Sequence, residues 1–155
     1  MRASTPLAPG PSLAAVGAAL LAWDVHRGAG VRVAAEGPAR PGGTVVVGLE
    51  LGPLWALAPC RVVAVVDDAD AVGFTYATLP GHPATGVERF LVRRADGALS
   101  FEVEAVSRPA LPGGRLLAPG AAVVQRLVTA RYLAAARRVA ARADPAAVGR
   151  PAAPG

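Results

Sequence analysis

Val72-Gly73-Phe74-Thr75-Tyr76-Ala77-Thr78-Leu79-Pro80-Gly81-His82-Pro83-Ala84-Thr85-Gly86-Val87-Glu88-Arg89-Phe90-Leu91-Val92-Arg93 carries two runs with strand character on either side of a Pro-Gly turn. Branched and aromatic residues recur in Val72 to Leu79 and in Val87 to Arg93, and such side chains suit the pleated, half-buried surface of a sheet. Between the runs, Pro80, Gly81 and Pro83 restrict the backbone around His82 in the manner of a tight turn. The two runs therefore read as an antiparallel hairpin.

Outward from this hairpin, Val31 to Glu36, Thr44 to Leu51, Arg61 to Val66 and Leu99 to Val106 have the same character and are bounded by Gly and Pro. Asp67-Asp68-Ala69-Asp70 and Ala95-Asp96-Gly97 have hairpin-turn chemistry, so consecutive strands should pair as a meander of about six strands. Before the meander, Ser12 is a candidate N-cap for a helix reaching about His26, stopped by Gly28 to Gly30. After it, a Pro/Gly-rich connector from Pro109 to Pro119 leads to a long Ala-rich helix from about Gly120 to Arg142. At 100° per residue, Val124, Val128, Ala135 and Val139 share a sector roughly 60° wide, with Leu127 and Tyr132 at its margins. An antiparallel meander cannot bury its concave face alone, and this helix is the longest apolar surface available to cover it. The expected fold is α+β, a curved antiparallel sheet wrapped around a long C-terminal helix. Residues 12–142 form the domain, with a disordered arm over 1–11 and a disordered tail over 143–155.

The chain has 155 residues, and 53% of them are apolar, enough for a core. It contains no Lys, Asn or Ile, a bias typical of GC-rich bacterial coding sequences. Its net charge of +5 would ordinarily invite nucleic acid. Here the basic groups are all Arg, spread from Arg2 to Arg150, with no basic run interleaved with stacking aromatics, so nucleic-acid binding is not expected. Cys60 is the sole cysteine, which excludes an intramolecular disulfide and a Cys-rich metal site and suits a reducing interior. Leu13 to Ala22 could pass for a leader core, but Pro6, Pro9 and Pro11 break the approach and Leu13, Val16, Leu20 and Trp23 recur at helical spacing. The stretch is also shorter than the about 20 apolar residues a bilayer span needs. A cytoplasmic protein without stable membrane insertion is expected.

A curved sheet packed on a helix leaves space at its open end, where small apolar ligands bind. Trp55, Phe74, Tyr76 and Phe90 are the aromatic candidates for lining it, each also readable as ordinary core. Period-2 alternation places Glu88 on the face of Phe90 and Val92 and away from Arg89, Leu91 and Arg93. If that face is concave, Glu88 enters the pocket mouth, where desolvation would raise its pKa and prepare it for acid/base work. His82 is a second acid/base candidate, although its turn also reads as a rigid hairpin and nothing more. Arg131 either snorkels to water or reaches in to hold a ligand oxygen. His26 reads as a favourable partner for a helix C-terminus. Glu102 and Glu104 alternate with Phe101, Val103 and Ala105 and should face solvent. No zinc site, phosphate-binding glycine loop, dinucleotide fingerprint or nucleophile elbow is present, so no cofactor and no metal are expected.

Arg61-Val62-Val63, the run from Gly73 to Pro83, Gly86-Val87-Glu88, and Phe101 with Ser107-Arg108-Pro109 resemble the family called domain of unknown function nineteen-ninety, over about Trp23 to Tyr132. The family's turn is typically Gly-Thr-Leu-Pro-Gly-His-Pro followed by Gly-Glu-Glu; here Ala77 replaces the first Gly and Val87 the first Glu, while Glu88 matches the second. A catalytic acid pair, if the family used one, would be half missing. The resemblance also implies that most of the family's N-terminal segment is lacking and that the first strand is short or absent. It places the chain near the birch-pollen-allergen and START-like helix-grip superfamily, whose members bind or cyclise lipids, steroids and polyketides.

The leading expectation is a pocket for a hydrophobic, lipid-like or polyketide-like small molecule. The alternative is a cofactor-independent cyclase, isomerase or hydrolase of bacterial secondary metabolism using His82 and Glu88. A basic interaction module is the third reading, and homodimerisation stays open.

Overall fold

The computed structural model describes residues 1–110 and 114–144. In chain order the elements are β1 (Arg2–Pro6), α1 (Leu13–Leu21), α2 (Asp24–Gly28), β2 (Arg32–Ala35), β3 (Thr44–Leu51), β4 (Leu54–Asp67), β5 (Ala71–Thr78), β6 (Ala84–Ala95), β7 (Ala98–Pro109) and α3 (Gly114–Arg142). The strands form one antiparallel sheet ordered β1-β7-β6-β5-β4-β3-β2, so every connection from β2 to β7 joins neighbours. All six expected strands are present, as is the hairpin at Pro80-Gly81, in which Phe74 faces Phe90 and Tyr76 faces Glu88. The architecture is α+β, a curved sheet gripping α3.

Four expectations need correction. Residues 2–6 are not part of a disordered arm: they add a seventh strand, β1, with Arg2 opposite Glu104 and Pro6 opposite Ser100. Pro6 ends an edge strand, where its missing N–H removes no ladder bond. Thr5 is buried and its Oγ1 lies 2.7 Å from Arg137 Nε, tying β1 to α3. The first helix is two helices, because Trp23 adopts a left-handed backbone (φ 69). That bend turns the Trp23 ring into the core, where its Nε1–H donates to Gly37 O at 2.9 Å. The final helix begins at Gly114, so it takes in Pro119, whose early position costs one intrahelical hydrogen bond. His26 lies fully inside the protein rather than at an exposed helix terminus. The expected tail from residue 145 onward and residues 111–113 of the connector lie outside the described residues.

Between Val62 and Ala64 the β4–β5 register slips by one residue, leaving Val63 as the extra, exposed residue of a bulge. A bulge bends its strand and resets the inward alternation, so Cys60 and Val62 point in on one side of it and Val65 packs on the core from the other. Curvature of the sheet follows. Gly17 lets α1 lie directly on β5, since a Cβ there would stand 2.6 Å from the Val72 side chain.

The two ends of the concave face are filled differently. At the closed end, Trp23, His26, Phe74, Phe90 and Phe101 pack as fully buried rings, with Tyr132 of α3 edge-on to Phe90 at 5.1 Å. The C-terminal half of α3 is locked there through Ala135, Ala136 and Ala140, and Arg138 donates to Gly28 O at 2.9 Å. Towards the open end the inward residues shrink to Ala56, Ala58 and Ala105. The N-terminal half of α3 crosses this end without filling it.

Candidate functional site

The unfilled end is a cavity of about 840 Å³ between the sheet and α3. Val47 and Leu49 of β3, Ala56 and Ala58 of β4, and Val124 and Val128 of α3 supply much of its apolar wall. The expected stripe on α3 thus divides in two: Ala135 and Val139 are buried in the core, whereas Val124 and Val128 face the cavity. Leu127, at the stripe's margin, is 58% exposed.

Where the aromatic core meets the cavity, Glu88 projects inward from β6. Its Oε2 accepts from the Tyr76 hydroxyl at 2.8 Å and its Oε1 from the Gln125 amide at 3.3 Å. Burial raises the Glu88 pKa, opposed by these two hydrogen bonds, which favour the carboxylate. Burial and the neighbouring Glu88 charge in turn hold the Tyr76 and Tyr132 phenols above their ordinary range. The same two causes push the Cys60 thiol up to about 12, so this buried sulfur is an inert thiol at neutral pH. His82 also lines the cavity, and its Nδ1 accepts from Ala84 N–H at 2.9 Å. That bond requires an unprotonated Nδ1, which leaves the proton of the neutral ring on Nε2. Burial lowers its pKa. The chemistry available is a carboxyl group whose pKa burial raises, two phenols, an amide and a neutral imidazole around an apolar space.

Of the seven residues singled out from sequence, the fold brings Tyr76, His82 and Glu88 to one cavity. The other four do not line it. Phe74 and Phe90 point inward but are sealed in the aromatic core at 0% exposure. Trp55 alternates to the opposite face of β4 from Ala56 and Ala58, is 46% exposed, and lies under the Arg32 guanidinium at 5.5 Å. Arg131 is exposed on the flank of α3 away from the cavity wall. His26, read as a helix-terminus partner, instead stands among aromatic rings, with His26–Phe90 and His26–Tyr132 centroids 4.6 and 4.8 Å apart. Both of its ring nitrogens are buried and have no partner among the described residues, and burial followed by the Arg27 charge lowers its pKa to about 3.

Gln125, Tyr132, Arg108 and Arg126 also line the cavity and were not read as site residues. Gln125 had a signal, being the chain's sole side-chain amide and standing at helical spacing from Val128 and Tyr132. Among the described residues no group of three or more His, Cys, Asp or Glu comes together, and no helix is long and apolar enough to cross a membrane.

The profile of the family described as "Domain of unknown function (DUF1990)" matches residues 1–135. The chain belongs to the DUF1990 family. Within curated proteins, a UPF0548 protein of Deinococcus radiodurans is 41% identical over 102 residues, covering 60% of this chain and 52% of the relative. This DUF1990 chain therefore spans about half the length of that relative. Among solved structures, hypothetical protein jhp0584 of Helicobacter pylori superposes with a TM-score of 0.69 at 8% identity, over 90% of this chain and 88% of that one. Ara h 8.0201 follows with a TM-score of 0.55 at 14% identity, over 87% and 95% of the two chains. Protein Ms6760 of Mycobacterium smegmatis has a TM-score of 0.55 at 13% identity, over 89% and 88%. At these identities the likeness is one of fold: this DUF1990 chain shares with them a curved antiparallel sheet gripping a C-terminal helix.

Proposed function

We propose that this chain binds a hydrophobic small molecule, lipid-like or polyketide-like, between its sheet and α3. The observation that carries the reading is the cavity itself, about 840 Å³ with Ala, Val and Leu walls. Ligand pockets run roughly 300–1,000 Å³ and combine apolar walls with a few polar groups that orient the guest. Glu88, Tyr76 and Gln125 are those groups here: a ligand hydroxyl would donate to the carboxylate, and a ligand carbonyl would accept from the carboxylic acid. The sole cysteine, reduced and buried, fits a cytoplasmic setting. Native mass spectrometry of the protein purified from its own host tests the reading. A copurifying apolar molecule is expected; a protein that carries none and takes up no apolar probe would overturn it.

A second reading is favoured by the raised pKa of Glu88. In an apolar site, such a carboxyl group can take a proton from a substrate and return it, and His82 offers a second proton-transfer group on the same cavity. The reaction would be a cofactor-independent cyclisation, isomerisation or hydrolysis in bacterial secondary metabolism. Glu88→Gln should then abolish turnover while ligand binding persists, and undiminished turnover would remove Glu88 from the mechanism.

A further inference from the structure

Arg2 and Arg93 reach Glu102, Arg27 reaches Asp24 and Arg40 reaches Glu36, each within 3.7 Å. Arg108 and Arg126 have no such partner: among the described residues, neither meets a carboxylate or a hydrogen-bond acceptor. They stand on different elements, Arg108 near the end of β7 and Arg126 in the N-terminal half of α3, and both line the one cavity. Each is exposed, which places them at the mouth. An isolated arginine at an apolar rim ordinarily snorkels to water. Two of them, converging from separate elements on one opening with no acid to neutralise them, leave a positive mouth over a low-dielectric interior.

Among the described residues the only acidic side chain lining the cavity is Glu88, and its oxygens are occupied by Tyr76 and Gln125 rather than by a guanidinium. Burial raises the pKa of Glu88 and so disfavours a full negative charge inside the cavity. A cleft lined by one sign of charge with apolar walls concentrates the potential and draws in ligands of the opposite sign. Guanidinium forks match the paired oxygens of an oxyanion.

Resting on the binding reading above, we infer that the ligand is an amphiphile with an anionic oxygen head, a carboxylate, phosphate or sulfonate, held at the mouth by Arg108 and Arg126 while its apolar body occupies the cavity. Both the head and the body are recognised, the head by charge and the body by Ala and Val walls.

Two fluorescent probes that share an aromatic body and differ in one sulfonate test this: anilinonaphthalene sulfonate and neutral phenylnaphthylamine. In the full chain, Arg108→Gln/Arg126→Gln should weaken the sulfonate about tenfold or more and leave the neutral probe within about twofold. Arg131→Gln, on the exposed flank, should change neither. Sulfonate binding to the unaltered protein should also weaken with added salt. Equal effects of the double substitution on both probes, or none on the sulfonate, would overturn the anionic head and leave the apolar pocket standing. If neither probe binds the unaltered protein, the pocket reading and this inference fall together.

Discussion

Tyr76 and Glu88 sit directly opposite each other on β5 and β6, and the phenol donates to the carboxylate at 2.8 Å across that pair. The register set by the Pro80-Gly81 turn therefore builds the polar end of an apolar cavity. Its energetic consequence is pH-dependent, because the bond stabilises the charged form of a group that burial drives towards neutrality.

Tyr76→Phe removes the donor and the hydroxyl while keeping the ring in the core. The Glu88 pKa should rise further, and stability should fall by about 1–2 kcal/mol where the carboxylate is charged and by less at acid pH, where it is protonated. Denaturant unfolding under the two conditions checks this, together with carboxyl titration by nuclear magnetic resonance.

Glu88→Gln should raise the thermal midpoint at neutral pH by about 2–4 °C, corresponding to about 1 kcal/mol. The folded-state pKa of Glu88 lies above its unfolded value, so the folded chain binds more protons between the two and the native protein gains stability as pH falls through that window. The advantage of Gln should accordingly shrink towards pH 4.5. Melting curves across that range decide it, and an equal gain at every pH would assign the effect to packing.

His26 makes the fold acid-sensitive in the opposite sense. Its folded pKa of about 3 lies below the ordinary value of 6.5, so the unfolded chain binds the extra proton and native stability falls as pH drops from 6.5 towards 3. The slope should approach about 1.4 kcal/mol per pH unit from this group. His26→Phe keeps an aromatic ring, removes both unpartnered nitrogens and should flatten the slope; chemical denaturation of the two proteins between pH 4 and 7 measures the difference.

A pair of size increases distinguishes the hollow end from the packed one. Ala58→Phe places a ring in the cavity and should lower affinity for the neutral probe about tenfold with less than about 1 kcal/mol change in stability. Ala135 is fully buried where α3 faces Gly28, so Ala135→Phe should destabilise by at least about 1–3 kcal/mol. Equal destabilisation by both would show that no cavity exists at Ala58.

The strands around the hairpin were legible because each residue's facing follows from period 2 once a turn anchors the register. Glu88 was placed on the face of Phe90 on that ground alone, and Glu102 outward, where it pairs with Arg2 and Arg93. β1 was not legible: Arg2 to Pro6 has little strand propensity, and it pairs because β7 presents an edge more than ninety residues away. Nor was the fate of Trp55, since its facing depends on how far β4 extends before Cys60. His26 shows the limit most clearly, because a histidine near a helix end carries no local mark of being enclosed by rings from β5, β6 and α3.

Periodicity, turn residues and the run of alanines along α3 thus determined that this chain would form an antiparallel meander closed by a helix, since those preferences act between residues a few positions apart. Tertiary packing alone decided that the aromatic rings would gather at one end, that alanines would leave the other hollow, and that Arg108 and Arg126 would line the same cavity. Volume and charge in a shared space are sums over distant segments, and no local stretch of the chain contains them.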